Sequence, residues 1–89
     1  MSSGGFTGSV IKSGKSFTFT GNGVLIPIRY FDSVDRTYAT LTIDGSSSKT
    51  IDCYADMGIV SIPFTSSIKM EYVDDSYSSR YLEALIFYY

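Results

Sequence analysis

Apolar and polar residues alternate along most of this chain, most clearly from Arg36 to Ile43. Successive side chains of an extended strand point to opposite faces, so the alternation predicts a half-buried strand. Its buried face is predicted to hold Thr37, Ala39, Leu41 and Ile43, and its outer face Arg36, Tyr38, Thr40 and Thr42. Asp44-Gly45 follows at once, and because this pair readily takes positive φ angles, it predicts a tight hairpin turn.

Shorter alternating stretches occur on both sides of this strand. Their inward side chains are predicted to be Phe17 and Phe19, Ile51 and Cys53, and Ile68, Met70 and Tyr72. A weaker strand is predicted from Phe6 to Lys12, and Asn22-Gly23 between two apolar runs predicts a second hairpin. Residues 81–89 contain a helix-compatible Leu-Glu-Ala-Leu segment, but the β-branched and aromatic tail that follows favours a strand.

Two segments, 24–31 and 59–64, are almost continuously apolar, which is typical of strands covered on both faces. Each contains a proline, Pro27 or Pro63, and proline has no N–H to donate to a neighbouring strand. The two observations agree if these strands lie at sheet edges or carry a bulge. Their outer faces would then be covered by a partner or by the N-terminal arm.

The number and spacing of these segments predict an all-β fold. Short strands separated by polar turns favour a small antiparallel β-sandwich of about seven strands, with a small β-barrel as the alternative. The sandwich is preferred because the proline-containing strands look like edges, which a closed barrel would not have. Residues 1–5 are predicted to be a flexible arm, and 6–89 a single β domain.

Composition then narrows the function. The chain has 89 residues and a net charge of −2, and its seven lysines and arginines are scattered. A nucleic-acid-binding protein normally concentrates positive charge in a patch, so no nucleic-acid partner is expected. The N-terminus has no secretion-signal pattern, and the most apolar segment is far shorter than the ~20 residues of a membrane helix. We therefore expect synthesis in the cytoplasm without a signal peptide, or a chain whose signal has already been removed, and no membrane partner.

The residue types that most catalysis requires are missing. The chain has no histidine and a single cysteine, Cys53, so a Ser-His or Cys-His nucleophile pair cannot form. Cys53 is predicted to point inward, where an apolar setting makes a thiol inert. Asp74 and Asp75, with Ser76 and the nearby Glu71, are the densest acidic cluster; a solvated turn is preferred over a cation site there. We expect no enzymatic activity, no metal and no cofactor.

The eight tyrosines are more informative, because tyrosine combines a large contact area with a hydrogen-bonding hydroxyl. Tyr38, Tyr54 and Tyr77 fall on predicted outer faces or loop tips, as does one of Tyr81 and Tyr89. Tyr38, Tyr54 and Tyr77, with Arg80, are the candidate binding residues. The first hypothesis is a structural or protein-interaction module that forms a homo-oligomer or a larger assembly, by analogy of composition a viral or phage-type particle. The alternatives are a carbohydrate-binding module that uses the exposed tyrosines, and a small protein inhibitor.

Overall fold

The computed structural model describes residues 5–31, 38–53, 55–73 and 81–89, with the backbone alone at 29–31. The described residues form eight β-strands and no helix. The strands are Gly8–Gly14 (β1), Ser16–Thr20 (β2), Gly23–Phe31 (β3), Tyr38–Ile43 (β4), Ser47–Asp52 (β5), Ile62–Phe64 (β6), Ser67–Tyr72 (β7) and Tyr81–Tyr88 (β8).

The strands form two four-stranded antiparallel sheets that pack face to face. Sheet I has the order β1-β8-β3-β6, and sheet II has the order β2-β7-β4-β5. In this arrangement β1 pairs with β8, β2 with β7, β3 with β6 and β4 with β5, as if one long hairpin had been rolled up. This is the connectivity of an eight-stranded jelly roll. The predicted β-sandwich is confirmed, with eight strands instead of about seven.

The core lies between the sheets and includes the side chains that were predicted to point inward. Ala39, Leu41, Ile68 and Met70 of sheet II are fully buried, and they face Leu25, Leu82, Ala84 and Ile86 of sheet I. Ile51, Cys53 and Tyr72 are buried as the alternation predicts, and Phe17 and Phe19 pack partly buried against the same core. Each large apolar side chain buried in this way contributes about 1.5–3 kcal/mol to folding.

One buried polar group ties the two sheets together. The Tyr72 hydroxyl, at the end of β7, accepts a hydrogen bond from the backbone N–H of Tyr81 (2.9 Å) and donates one to the Tyr81 carbonyl (2.7 Å). Tyr81 begins β8, so this contact connects sheet II to the central part of sheet I. Burying the tyrosine is tolerable because its hydroxyl is satisfied in both directions.

The hairpin predicted at Asp44-Gly45 is confirmed. It joins β4 to β5, and Asp44 (φ 56°) and Gly45 (φ 77°) both adopt positive φ. The Ser46 amide donates to the carbonyl of Ile43 at 3.2 Å, which closes the turn.

The hairpin predicted at Asn22-Gly23 is wrong. β2 pairs with β7 in sheet II, whereas β3 pairs with β8 and β6 in sheet I, so the chain changes sheets at this point. Gly23 is required for close packing: a Cβ there would lie 2.1 Å from the carbonyl oxygen of Phe87. Gly21 has a φ of 145°, a backbone conformation that residues with a side chain rarely adopt. The glycines therefore form a corner between the sheets.

The two proline-containing strands behave differently. β6, with Pro63, is a three-residue edge strand, as predicted. β3 is not an edge, because β8 and β6 lie on either side of it. However, β6 covers only Gly23–Leu25, and the register against β8 shifts between Pro27 and Arg29. Pro27 therefore lies beyond β6 and beside a bulge, where its missing N–H breaks no hydrogen bond to β6.

The last segment is a strand and not a helix, as its aromatic tail predicted. β8 pairs with β1 along one side and with β3 along the other, which makes it an interior strand of sheet I.

Ile59, included in a predicted strand, lies in a turn and is 77% exposed.

Candidate interaction surface

The outer side of sheet I carries apolar side chains on all four strands. Leu82, Ala84 and Ile86 of β8 are buried in the core, so the intervening residues point away from it. The positions that alternate outward in this sheet include Ile11, Val24, Ile26, Pro63, Leu85 and Phe87; these six residues are called the apolar face.

The members of the apolar face form two cross-strand rows. Leu85 lies directly opposite Ile11 on β1 and Ile26 on β3. Phe87 lies opposite Val24, which in turn lies opposite Pro63. Side chains opposed in this way have Cβ atoms about 4.5–5.5 Å apart, so the rows form a continuous surface. At its rim, Ile11 remains 58% exposed.

Two further aromatic rings extend this surface beyond the strands. The centroid of the Phe6 ring lies 5.5 Å from that of Phe87 and 4.8 Å from that of Tyr89. The backbone holds this segment in place, because the Thr7 amide donates to the Tyr88 carbonyl at 2.7 Å. Phe6 and Tyr89 are about half exposed (45% and 52%), so the aromatic cluster faces outward.

The outer side of sheet II has the opposite chemistry. Its outward positions are hydroxylated or charged, and they are called the polar face: Ser16, Thr18, Thr40, Thr42, Ser48, Thr50, Lys69 and Glu71. Lys69 and Glu71 form an ion pair at 3.6 Å. Four members of the apolar face, Val24, Ile26, Leu85 and Phe87, are half-buried, and Ile11 and Pro63 are exposed. Because contiguous apolar side chains on an outer surface mark interaction sites, the apolar face is the candidate functional surface of the domain.

Of the tyrosines predicted to bind a partner, only Tyr38 lies among the described residues. It begins β4 opposite Asp52, and its side chain is 46% exposed, as predicted for an outer face. Tyr54, Tyr77 and Arg80 lie outside the described residues. The apolar face was not among the predicted sites, although the two-sided apolar character of β3 and β8 was its signal in the sequence.

The Asp44 carboxylate has a structural role. Asp44 Oδ1 accepts hydrogen bonds from the amides of Ser66 (2.7 Å), Thr65 (2.8 Å) and Ser67 (3.2 Å), and Oδ2 accepts one from the Thr65 hydroxyl (2.9 Å). These bonds, Ser66 first and Thr65 next, hold the pKa of Asp44 well below its usual value. The carboxylate thereby joins the β4–β5 hairpin to the β6–β7 turn.

The described residues show no assembled reactive centre. Cys53 is fully buried, as predicted. Residues 5–31, 38–53, 55–73 and 81–89 contain no group of three or more metal-ligating side chains. The acidic residues Asp74 and Asp75 lie outside these ranges. Nor do these ranges contain a helix of the length and hydropathy needed to cross a membrane.

Three comparisons with known proteins were made. The chain matches no protein-family model, no curated protein and no solved structure. The surface chemistry of the two sheets is therefore the basis for inferring a function.

Proposed function

We propose that this protein is a non-enzymatic structural module that self-associates, with the apolar face of one copy packed against the same face of a second copy. The observation that carries the proposal is the continuous row Ile11–Leu85–Ile26 across three strands of sheet I. These side chains point away from the core, so the domain does not need them to enclose its own interior.

A second copy is the partner that this chemistry favours. In a two-fold dimer the same patch meets itself, so a patch rich in one charge would repel its copy. The six side chains of the apolar face are uncharged. Glu83 of β8 also alternates outward, but it lies opposite Ser13 and Arg29, outside the two apolar rows. Two sheet faces can pack about 10 Å apart with interdigitating side chains, as the two sheets of a sandwich do. A small domain also gains stability from the additional burial.

The fold agrees with an assembly role by analogy alone. Eight-stranded jelly rolls form viral capsid domains, but they also form lectins and cupins, so connectivity does not select a function. Assembly into a virus or phage-type particle is the extended form of the proposal, in which the self-associating pair would be its building unit.

The experiment is analytical ultracentrifugation over a wide range of protein concentrations. We expect a concentration-dependent dimer for the unmodified chain. Ile11→Lys should weaken it about thirtyfold or more, because losing a well-packed contact residue costs about 2 kcal/mol or more. The matched control is Thr50→Lys, which adds the same charge to an exposed residue on the edge strand of sheet II.

Circular dichroism should show the same β spectrum for both variants, so that any change in mass reflects association. A monomer at every concentration would contradict the proposal. Equal weakening by Ile11→Lys and Thr50→Lys would contradict it as well, because the contact would then not lie on the apolar face.

A further inference from the structure

A cavity of about 410 Å³ lies where β1, an edge strand of sheet I, meets β2, an edge strand of sheet II. It is lined by Val10 and Lys12 of β1, Phe19 and Thr20 of β2, Asn22 of the following corner and Tyr88 of β8. Small-molecule sites typically have volumes of about 300–1,000 Å³, so this cavity is large enough for a small organic ligand.

Two aromatic rings form its apolar wall. The centroids of Phe19 and Tyr88 lie 5.6 Å apart, and their planes are tilted by 33°. The ring of Tyr88 can lie there because its neighbour on β1 is Gly8, where a Cβ would come within 2.7 Å of the Tyr88 hydroxyl oxygen. The glycine therefore leaves the space that the tyrosine occupies.

Lys12 also lines the cavity and brings a positive charge to it. Lys12 is opposite Ala84, a fully buried residue of β8, and it therefore shares the inward direction of the core positions. It is partly buried and forms no ion pair with any residue in the described part of the chain. The residues that line the cavity include no aspartate or glutamate.

We propose that this cavity binds a small aromatic carboxylate. The ring of the ligand would pack against Phe19 and Tyr88, and its carboxylate would accept a hydrogen bond from the Lys12 ammonium. Charge-assisted hydrogen bonds of this kind are shorter and stronger than neutral ones. Thr20 and Asn22 supply further polar groups at the rim. None of the six residues of the apolar face lines this cavity, although Tyr89, whose ring extends that surface, is also one of the lining residues.

The competing explanation is that Lys12 protects an edge strand. Inward-pointing charges on edge strands discourage pairing with other chains. The chain offers a matched residue for this comparison, because Lys49 lies on the edge strand β5, opposite the inward-facing Leu41. Lys49 is exposed and does not line the cavity.

The experiment is a two-dimensional NMR titration with benzoate and, in parallel, with benzamide, which has the same ring and no charge. We expect saturable shifts of the Val10, Thr20, Gly21 and Tyr88 amides, with benzoate binding roughly tenfold more tightly than benzamide. Lys12→Met should remove this preference, Lys12→Arg should retain it, and Lys49→Met should leave it unchanged.

Well-dispersed spectra of the Lys12 variants establish that they are folded. Three results would overturn the proposal: no saturable shift with benzoate, shifts that map to the apolar face, or a benzoate preference that survives Lys12→Met. Aggregation of Lys12→Met without benzoate binding by the unmodified protein would identify Lys12 as an edge-protecting residue only.

Discussion

The two outer faces of the sandwich are built on the same antiparallel geometry, yet one presents isoleucine, leucine and phenylalanine and the other serine and threonine. Inward side chains from both sheets pack together into one hydrophobic core. The folding of the domain therefore explains the inner faces but not the apolar outer face. This difference is the reason why sheet I is proposed as the side that meets another surface.

The polar face has side chains that suit a solvent-exposed sheet surface. Threonine keeps the β-branched shape that suits a strand, and its hydroxyl remains solvated. Thr40 and Thr50 lie directly opposite each other on sheet II. Leu85 and Ile26 form the equivalent cross-strand pair on sheet I, with apolar side chains in place of the threonines. The contrast between the faces can be tested in three ways: by shortening one inner and one outer leucine of sheet I, by making the polar face apolar, and by lowering the pH.

The largest effect on stability is expected when leucines on the two sides of sheet I are replaced by alanine, one at a time. Leu25 is fully buried in the core, whereas Leu85 belongs to the apolar face. Leu25→Ala should lower the free energy of unfolding by about 2–5 kcal/mol, because it leaves a cavity. Leu85→Ala should instead weaken association and change the stability of the dilute monomer much less. Urea denaturation at low protein concentration measures the difference, and similar losses for both variants would show that Leu85 is a core residue.

A smaller effect is expected when the polar face is made apolar. The double variant Thr40→Ile/Thr50→Ile places two β-branched apolar side chains in direct opposition on sheet II. A chain with two self-associating faces has no closed dimer, so it should form larger species as its concentration rises. Sedimentation velocity detects this. If the double variant remains a dimer, apolar surface alone does not explain association.

The smallest effect is expected from acid, which acts on the ties within the fold and not on the apolar face. Because the pKa of folded Asp44 is lowered, its stabilisation is present above the unfolded pKa of about 3.9 and is lost as pH falls toward the folded pKa. Asp44→Asn should be less stable at neutral pH, and its urea midpoint should fall less steeply below about pH 4. Its dimer dissociation constant at neutral pH should equal that of the unmodified chain.

Equal acid sensitivity of the two proteins would show that other carboxylates control the loss of stability. A changed dissociation constant would show that the β4–β5 hairpin contributes to the association surface, contrary to the separation of the two faces.

Two turns that look alike in sequence show how far local patterns can be trusted. Asp44-Gly45 and Asn22-Gly23 both predicted hairpins, and only the first forms one. The first joins strands that pair with each other, so local conformation suffices. The second joins strands whose partners, β7 and β8, come much later in the chain. Gly23 is needed there because a side chain would clash with the carbonyl oxygen of Phe87, a residue far away in the sequence. A local sequence pattern cannot reveal such a contact.

The candidate surfaces divide in a similar way. The exposure of Tyr38 followed from alternation within one strand. The apolar face required Ile11, Leu85 and Ile26 to be neighbours, and they come from strands far apart in the chain. The cavity required β1 and β2 to belong to different sheets, although they are consecutive.

By itself, the sequence determined that the chain forms strands and, in the alternating strands, which side chains face the core, because a period of two places alternate residues on one face. It also determined which nucleophile pairs cannot be made, since histidine is absent. Only the tertiary structure decided which strands are neighbours, because pairing between strands distant in sequence depends on how all eight pack around one core. That arrangement places the uncharged residues in rows on sheet I and brings Lys12 to the same cavity as the Phe19 and Tyr88 rings.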